Sequence, residues 1–272
     1  MIISVSRRTD IPRFYWDWFL QELERGETRI TNPFNANQIR TISLLPEAMD
    51  GFVFWTRDPS LIAESAELLI NRGYLFYVMV SITGYPAVLE PHAPDLESVV
   101  GAVQRLSGRI GKNHVFWRYD PILLSSLTTK MDHLIVFSNL AKRLRNLVDR
   151  CIISLYDYYG KSERRLQALE ASANLRRFPL YTENRGLSQE AEELVAEIAG
   201  LSHQYEIPLY SCAEPTLLER FGILPNSCVD GELFGKKHEK DPNQRPNCHC
   251  DRSVDIGFYR SCPAHCVYCY AW

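Results

Sequence analysis

The sequence predicts an α/β protein. Its expected form is a TIM-like (βα) barrel, or partial barrel, of parallel strands over residues 1–221. A cysteine-rich tail over 222–272 would pack on the barrel mouth. Three observations predict this. Short β-rich runs alternate with helical patterns, which implies parallel βαβ units. The runs are apolar on both alternating faces, as in a sheet covered on both sides. Beyond residue 221 the periodicity fades and cysteines accumulate.

The strand runs are IISVS (2–6), FVFWT (52–56), LFYVMVSI (75–82), HVFWRY (114–119), CIISLY (151–156) and IPLYS (207–211). The clearest helical patterns between them are 59–73, 95–111 and 188–205. Two further β-like stretches, ETRIT and QIRTISLL, flank Asn32-Pro33-Phe34-Asn35 and suggest an excursion over the mouth. The basic stretches KRLRNLVDR (142–150) and ERRLQAL (163–169) read as solvated helix faces. At 272 residues and 46% hydrophobic, the chain has apolar material for one large core.

A formal net charge of −3 argues against broad electrostatic binding of nucleic acid, while leaving room for a local basic cleft. No apolar run is long enough to span a membrane, and the first residues do not resemble a signal peptide, so a cytoplasmic protein is expected. In that compartment eight cysteines point to metal binding or reactivity rather than disulfides. Sequence signatures for phosphate loops, HExxH metalloproteases and GxSxG hydrolases are absent.

The strand-to-helix joins repeat one chemistry. The first strand runs into Arg7, Arg8, Asp10 and Pro12; the second into Arg57-Asp58-Pro59; the fourth into Arg118, Asp120 and Pro121; the last into Glu214-Pro215. Asp before Pro is the pattern of a helix cap. Capping does not account for the arginines. They fall at the carboxyl ends of parallel strands, where α/β active sites form. Arg8, Arg57 and Arg118 are therefore candidates to hold a small anionic substrate by bidentate hydrogen bonds. Asp10, Asp58, Asp120 and Asp157 would orient them or the substrate. A structural ion network among the same residues is the competing reading, and the two are compatible.

The tail carries the most specific signal. Cys248-His249-Cys250 precedes Cys262-x3-Cys266-x2-Cys269, with Tyr268 before the last cysteine. Thiolates suit zinc or an iron–sulfur cluster. The spacings make poor zinc knuckles. Three cysteines this close can hold three corners of a [4Fe–4S] cube and leave one iron open. Cys-x3-Cys-x-aromatic-Cys resembles the cluster motif of the radical S-adenosylmethionine (SAM) superfamily. That resemblance implies SAM bound on the open iron, its reductive cleavage to a 5′-deoxyadenosyl radical, and an electron donor of the flavodoxin or ferredoxin kind. It also implies a partial or full (βα) barrel. The superfamily triad follows the first strand, whereas here it lies at the other end, and a GGE-like stretch for the SAM amino group is missing.

Over nearly its whole length the chain resembles a family of uncharacterised bacterial proteins, the domain of unknown function 1848. The stretches that carry the likeness are SRRTDIP (6–12), TNPFN (31–35), FWTRDP (54–59), WRYDPI (117–122), DIGFY (255–259) and CPAHCVYCYA (262–271). The family supplies no activity. Two alternatives stay open. Cys248 or Cys250 would close the cluster as fourth ligand, giving an iron–sulfur protein without SAM. Or the tail binds zinc and the chain is a binding protein.

Overall fold

The computed structural model describes residues 1–32, 35–173, 175–214 and 216–271. All six expected strands form: β1 (Ile2–Val5), β4 (Gly51–Thr56), β5 (Phe76–Ser81), β6 (Val115–Ile122), β7 (Cys151–Leu155) and β8 (Leu209–Ser211). The tail adds two short ones, β9 (Leu224–Pro225) and β10 (Ser253–Asp255). The eight make one sheet in the order β10-β1-β4-β5-β6-β7-β8-β9, and every pairing is parallel. Between β1 and β4 lies a separate antiparallel hairpin, β2 (Glu27–Asn32) with β3 (Asn35–Ser43). Pro33 and Phe34 at its turn lie outside the described residues, as does Pro215.

Helices cross between the strands: α1 (Ile11–Phe14), α2 (Trp16–Arg25), α3 (Ser60–Asn71), α4 (Leu96–Ile110), α5 (Lys130–Leu144), α6 (Gly160–Ser172) and α7 (Gln189–Gln204). The three helical patterns read most clearly from the sequence are α3, α4 and α7. Among the described residues no helix is long and apolar enough to cross a membrane.

Strand alternation divides the core in two, because successive side chains leave opposite faces. Ile3, Phe54, Val78, Trp117 and Ile153 point to one face, where the helices bury them. Ile2, Val53, Trp55, Tyr77, Met79, Phe116 and Ile152 point to the other. That second face is covered by the tail, through Cys228, Val229, Cys248 and Cys250.

The sheet is not a closed ladder. The terminal strands β9 and β10 are not paired with each other, so the closed barrel is not realised among the described residues. Irregular segments cross the gap instead. Asp251 N–H donates to Val229 O at 2.8 Å, Gly231 N–H to the Asp251 carboxylate at 2.6 Å, and Ser227 Oγ to His249 O at 2.7 Å.

The Asp-Pro capping expectation holds unevenly. Asp10 caps α1, accepting from Arg13 N–H at 3.2 Å, and Asp58 accepts from Ser60 N–H at 3.0 Å. Asp120-Pro121 lies inside β6, ahead of no helix. The next helix, α5, is capped by Thr129 with Asp132. Glu214 accepts from Leu155 N–H at 2.8 Å and from the Tyr181 hydroxyl at 2.9 Å, bracing the end of β7 rather than capping.

Candidate functional site

The same alternation that puts Trp55 and Phe116 on the second face puts Arg57 and Arg118 there, two residues further along each strand. Each arginine meets a carboxylate. Arg118 pairs with Asp120, which also accepts from Ser154 Oγ, and its guanidinium lies 4.9 Å over the Trp55 ring. Arg57 pairs with Glu90, and Arg57 Nη1 donates to the Tyr268 hydroxyl at 3.1 Å. Thr83 and Tyr268 both donate to the other Glu90 oxygen. Arg7 and Arg8 face Asp255 across 3.7 and 3.9 Å. All four arginines expected at the mouth thus face a carboxylate, but of Asp10, Asp58, Asp120 and Asp157 only Asp120 pairs with one of them, and Glu90 and Asp255 take the other three. Asp157 stands apart, half-exposed and paired with Arg245. Exposed pairs of that kind contribute ~0–1 kcal/mol. Asp10 turns inward, where burial pushes its carboxyl up to about 6 against the pull of the Arg57 N–H it accepts at 2.9 Å.

Sequence patterns missed three residues of this region. Glu90 sits on the long connection after β5, in a stretch with no periodic signal. Asp255 ends β10 and gathers the start of the chain: it accepts from Ser4 Oγ, Ser6 Oγ, Arg7 N–H and Gly257 N–H at 2.6–2.9 Å. Arg165 lies in the stretch read as a solvated face, yet its guanidinium donates to the carbonyls of Val267 and Cys269.

Those contacts fasten the tail. Val267 N–H donates to Leu89 O at 2.9 Å, Tyr15 to Ser261 O at 2.6 Å, and Tyr270 to Arg7 O at 2.8 Å. Cys262, Cys266 and Cys269 share one packed cluster with Tyr268, Tyr85, Leu89 and Leu123. Cys269 Sγ accepts from Ala271 N–H at 3.4 Å. Burial pushes the Cys266 thiol up to about 12, against the pull of Arg57. Thiols with N–H donors and a guanidinium beside them are the donor chemistry an iron–sulfur cluster takes.

Cys248 and Cys250 do not join this cluster. They belong to the other packed group, with Cys212 and Cys228, although their closeness to the triad in sequence makes them candidate ligands beside it. Among the described residues no group of three or more His, Cys, Asp or Glu side chains stands in metal-ligating geometry. The thiols of each group pack together without being disposed about a common centre.

Gly257 shows how tightly the Asp255 hub is built. A Cβ there would fall 1.8 Å from Ser6 Oγ and 3.2 Å from Asp255 Oδ1. Gly257→Ala is expected to cost about 1–3 kcal/mol by overpacking. A thermal melt should fall by on the order of 5 °C. An unchanged melt would show that Ser6 yields freely and that the hub is loose.

The fold and this region define a class: an α/β protein on a wide parallel sheet, whose strand ends carry arginine–carboxylate pairs and whose cysteine-bearing tail returns to cover them. The chain belongs to the family described as Domain of unknown function (DUF1848), whose model matches residues 2–271. A comparison with curated proteins gives no match.

Proposed function

We propose that the protein is an iron–sulfur enzyme of the radical-SAM-like kind, holding a [4Fe–4S] cluster on Cys262, Cys266 and Cys269. We read its sheet as a (βα) barrel opened between β9 and β10. The observation that carries the reading is the composition of the tail's packed cluster. It contains these three cysteines and Tyr268, while Cys248 and Cys250, the nearest candidates for a fourth ligand, lie with the other group. A triad without a fourth thiolate leaves one iron for SAM, to which the cluster would supply an electron.

The chain's own residues have definable parts. Arg57 and Glu90 fix Tyr268 through its hydroxyl, and so set the loop between Cys266 and Cys269. Arg165 holds the same loop through two carbonyls. These are positioning residues. Arg118, whose Nε is buried without a partner, and Arg8, stacked 4.8 Å from the Tyr259 ring, remain the candidates to meet an anionic substrate. A flavodoxin or ferredoxin would be the electron donor.

The test is anaerobic purification, reduction, and electron paramagnetic resonance with and without SAM, with assay for 5′-deoxyadenosine. The expected result is a [4Fe–4S] signal that shifts with SAM, together with 5′-deoxyadenosine. A signal indifferent to SAM would overturn the open cluster. Cys266→Ser should abolish the signal and the acid-labile sulfide; unchanged sulfide in that variant would refute the ligand assignment.

A further inference from the structure

We propose that Cys212, Cys228, Cys248 and Cys250 form a second metal site, a tetrathiolate for one soft divalent ion, zinc foremost, that closes the sheet between β9 and β10. The four sulfurs come from three separate segments. Cys212 follows β8, Cys228 follows β9, and Cys248 and Cys250 lead into β10. These are the segments that flank the unpaired edges. An ion held among them would join the two ends of the sheet where no ladder does.

The local chemistry fits thiolates rather than inert thiols. Cys228 Sγ lies 3.4 Å from Cys212 Sγ, and Cys250 is in sulfur contact with both Cys228 and Cys248. Four thiolates around one ion at about 2.3 Å would stand ~3.8 Å apart, a spacing near that of the Cys212–Cys228 pair at 3.4 Å; a cubane would spread them more widely. N–H donors already point at the sulfurs: Val229 to Cys250 at 3.4 Å, Cys250 to Cys248 at 3.5 Å, and Asn226 Nδ2 to Cys228 at 3.6 Å. Such outer contacts orient and charge-balance metal thiolates. Arg118 Nη2 stands 3.9 Å from Cys212 Sγ, a buried cation beside a group that would carry net negative charge once metallated. Trp55 Nε1, 7% exposed as a residue, is buried on the same face without a hydrogen-bond partner.

A buried thiol can also act as a small hydrophobe, and Cys151 on the helix-covered face is such a case. Four linked in a chain of sulfur contacts, Cys212 to Cys228 to Cys250 to Cys248, with polar donors beside them, are not. The proposal requires rotation about the Cα–Cβ bonds to turn the four sulfurs to a common centre.

The test uses the full chain with the triad removed, C262S/C266S/C269S, so that its outcome is independent of the proposed iron–sulfur function. Metal and acid-labile sulfide are measured together. The expected result is one divalent ion per chain without sulfide, released in step with titration of thiols by a mercurial. Cobalt loaded in its place should give the intense visible bands of a tetrahedral thiolate site. Adding C228S or C250S should remove the ion. The mercurial titration stands on its own where those variants fail to fold. A metal-free chain, an ion that survives both substitutions, or iron accompanied by sulfide would overturn the proposal.

Discussion

Glu90→Gln is expected to destabilise the protein by about 3–5 kcal/mol, because it leaves the Arg57 guanidinium buried without a counter-charge. The Glu90 side chain is 1% exposed and that of Arg57 12%. Burial alone would weaken the arginine's charge, and the Glu90 carboxylate more than offsets it. Gln keeps the shape and one acceptor but removes the charge that holds Arg57. Whichever way the amide turns, its NH2 meets donors, either the Arg57 guanidinium or the Thr83 and Tyr268 hydroxyls, so the loop bearing Cys266 and Cys269 should loosen with the pair. In thermal melts the midpoint should fall by on the order of 10 °C. The double change Arg57→Met with Glu90→Leu separates charge from packing. Replacing both members of a buried pair by apolar residues often restores stability, so the double variant should melt well above Glu90→Gln alone. A double variant no better than the single one would show that the hydrogen bonds to Tyr268, not the unpaired charge, dominate.

How far the sequence carried the fold depends on element length. β4 through β7 are five to eight residues long and mostly apolar on both faces, so their residue types alone reveal them. β9 and β10 have two and three residues. That is too short for any period to register, and their place in the sheet is set by partners more than a hundred residues away in one case: β10 lies against β1 through Ile2–Ser253 and Ser4–Asp255. The expectation of a barrel came from counting βα units. Closure is a different matter, because it depends on the irregular segments 226–231 and 248–251, and irregular segments carry no pattern.

The candidate site divides along the same line. The positions of the arginines were legible, since a residue two beyond Trp55 or Phe116 must share its face. Their partners were not. Asp120 is near Arg118 in sequence, but Glu90 and Asp255 reach Arg57 and Arg7 through folding alone. The cysteine triad was legible because its members are neighbours in sequence. Cys212 and Cys228 carry no such signal, for the opposite reason: each is sixteen or more positions from its sulfur contacts at Cys250 or at one another, and only the return of the tail over the second face unites them. Spacing finds ligands on one loop. It is blind to ligands gathered from three.

Glu214→Gln should stabilise the protein by an amount that grows as pH rises from about 4.5 and is complete above about 7. Burial pushes the Glu214 carboxyl up to about 7 from its ordinary 4.5, even though Leu155 N–H and the Tyr181 hydroxyl donate to it. Between those two values the folded chain holds a proton that the unfolded chain has released, so stability falls as pH rises through the interval. Below 4.5 both states are protonated and the contribution is whole; above 7 it has been lost. A shift of this size amounts to about 3 kcal/mol. Gln cannot ionise, so the variant should match the native protein near pH 4.5 and melt higher by on the order of 8 °C at pH 8. The substitution suits this site because the two donors differ. Leu155 N–H keeps its acceptor in the amide oxygen, and the Tyr181 hydroxyl can turn to accept from the amide nitrogen. Asp10, raised to about 6 in the same direction, offers no such freedom. Both its oxygens accept from backbone N–H groups, of Arg13 and Arg57, and Asn would set a donor against one of them. Asp10→Asn should therefore lose stability at every pH, and the contrast between the two variants reads the hydrogen-bond geometry directly. Equal melts for native protein and Glu214→Gln across pH 5 to 8 would place the Glu214 carboxyl in contact with water and its titration near the ordinary value.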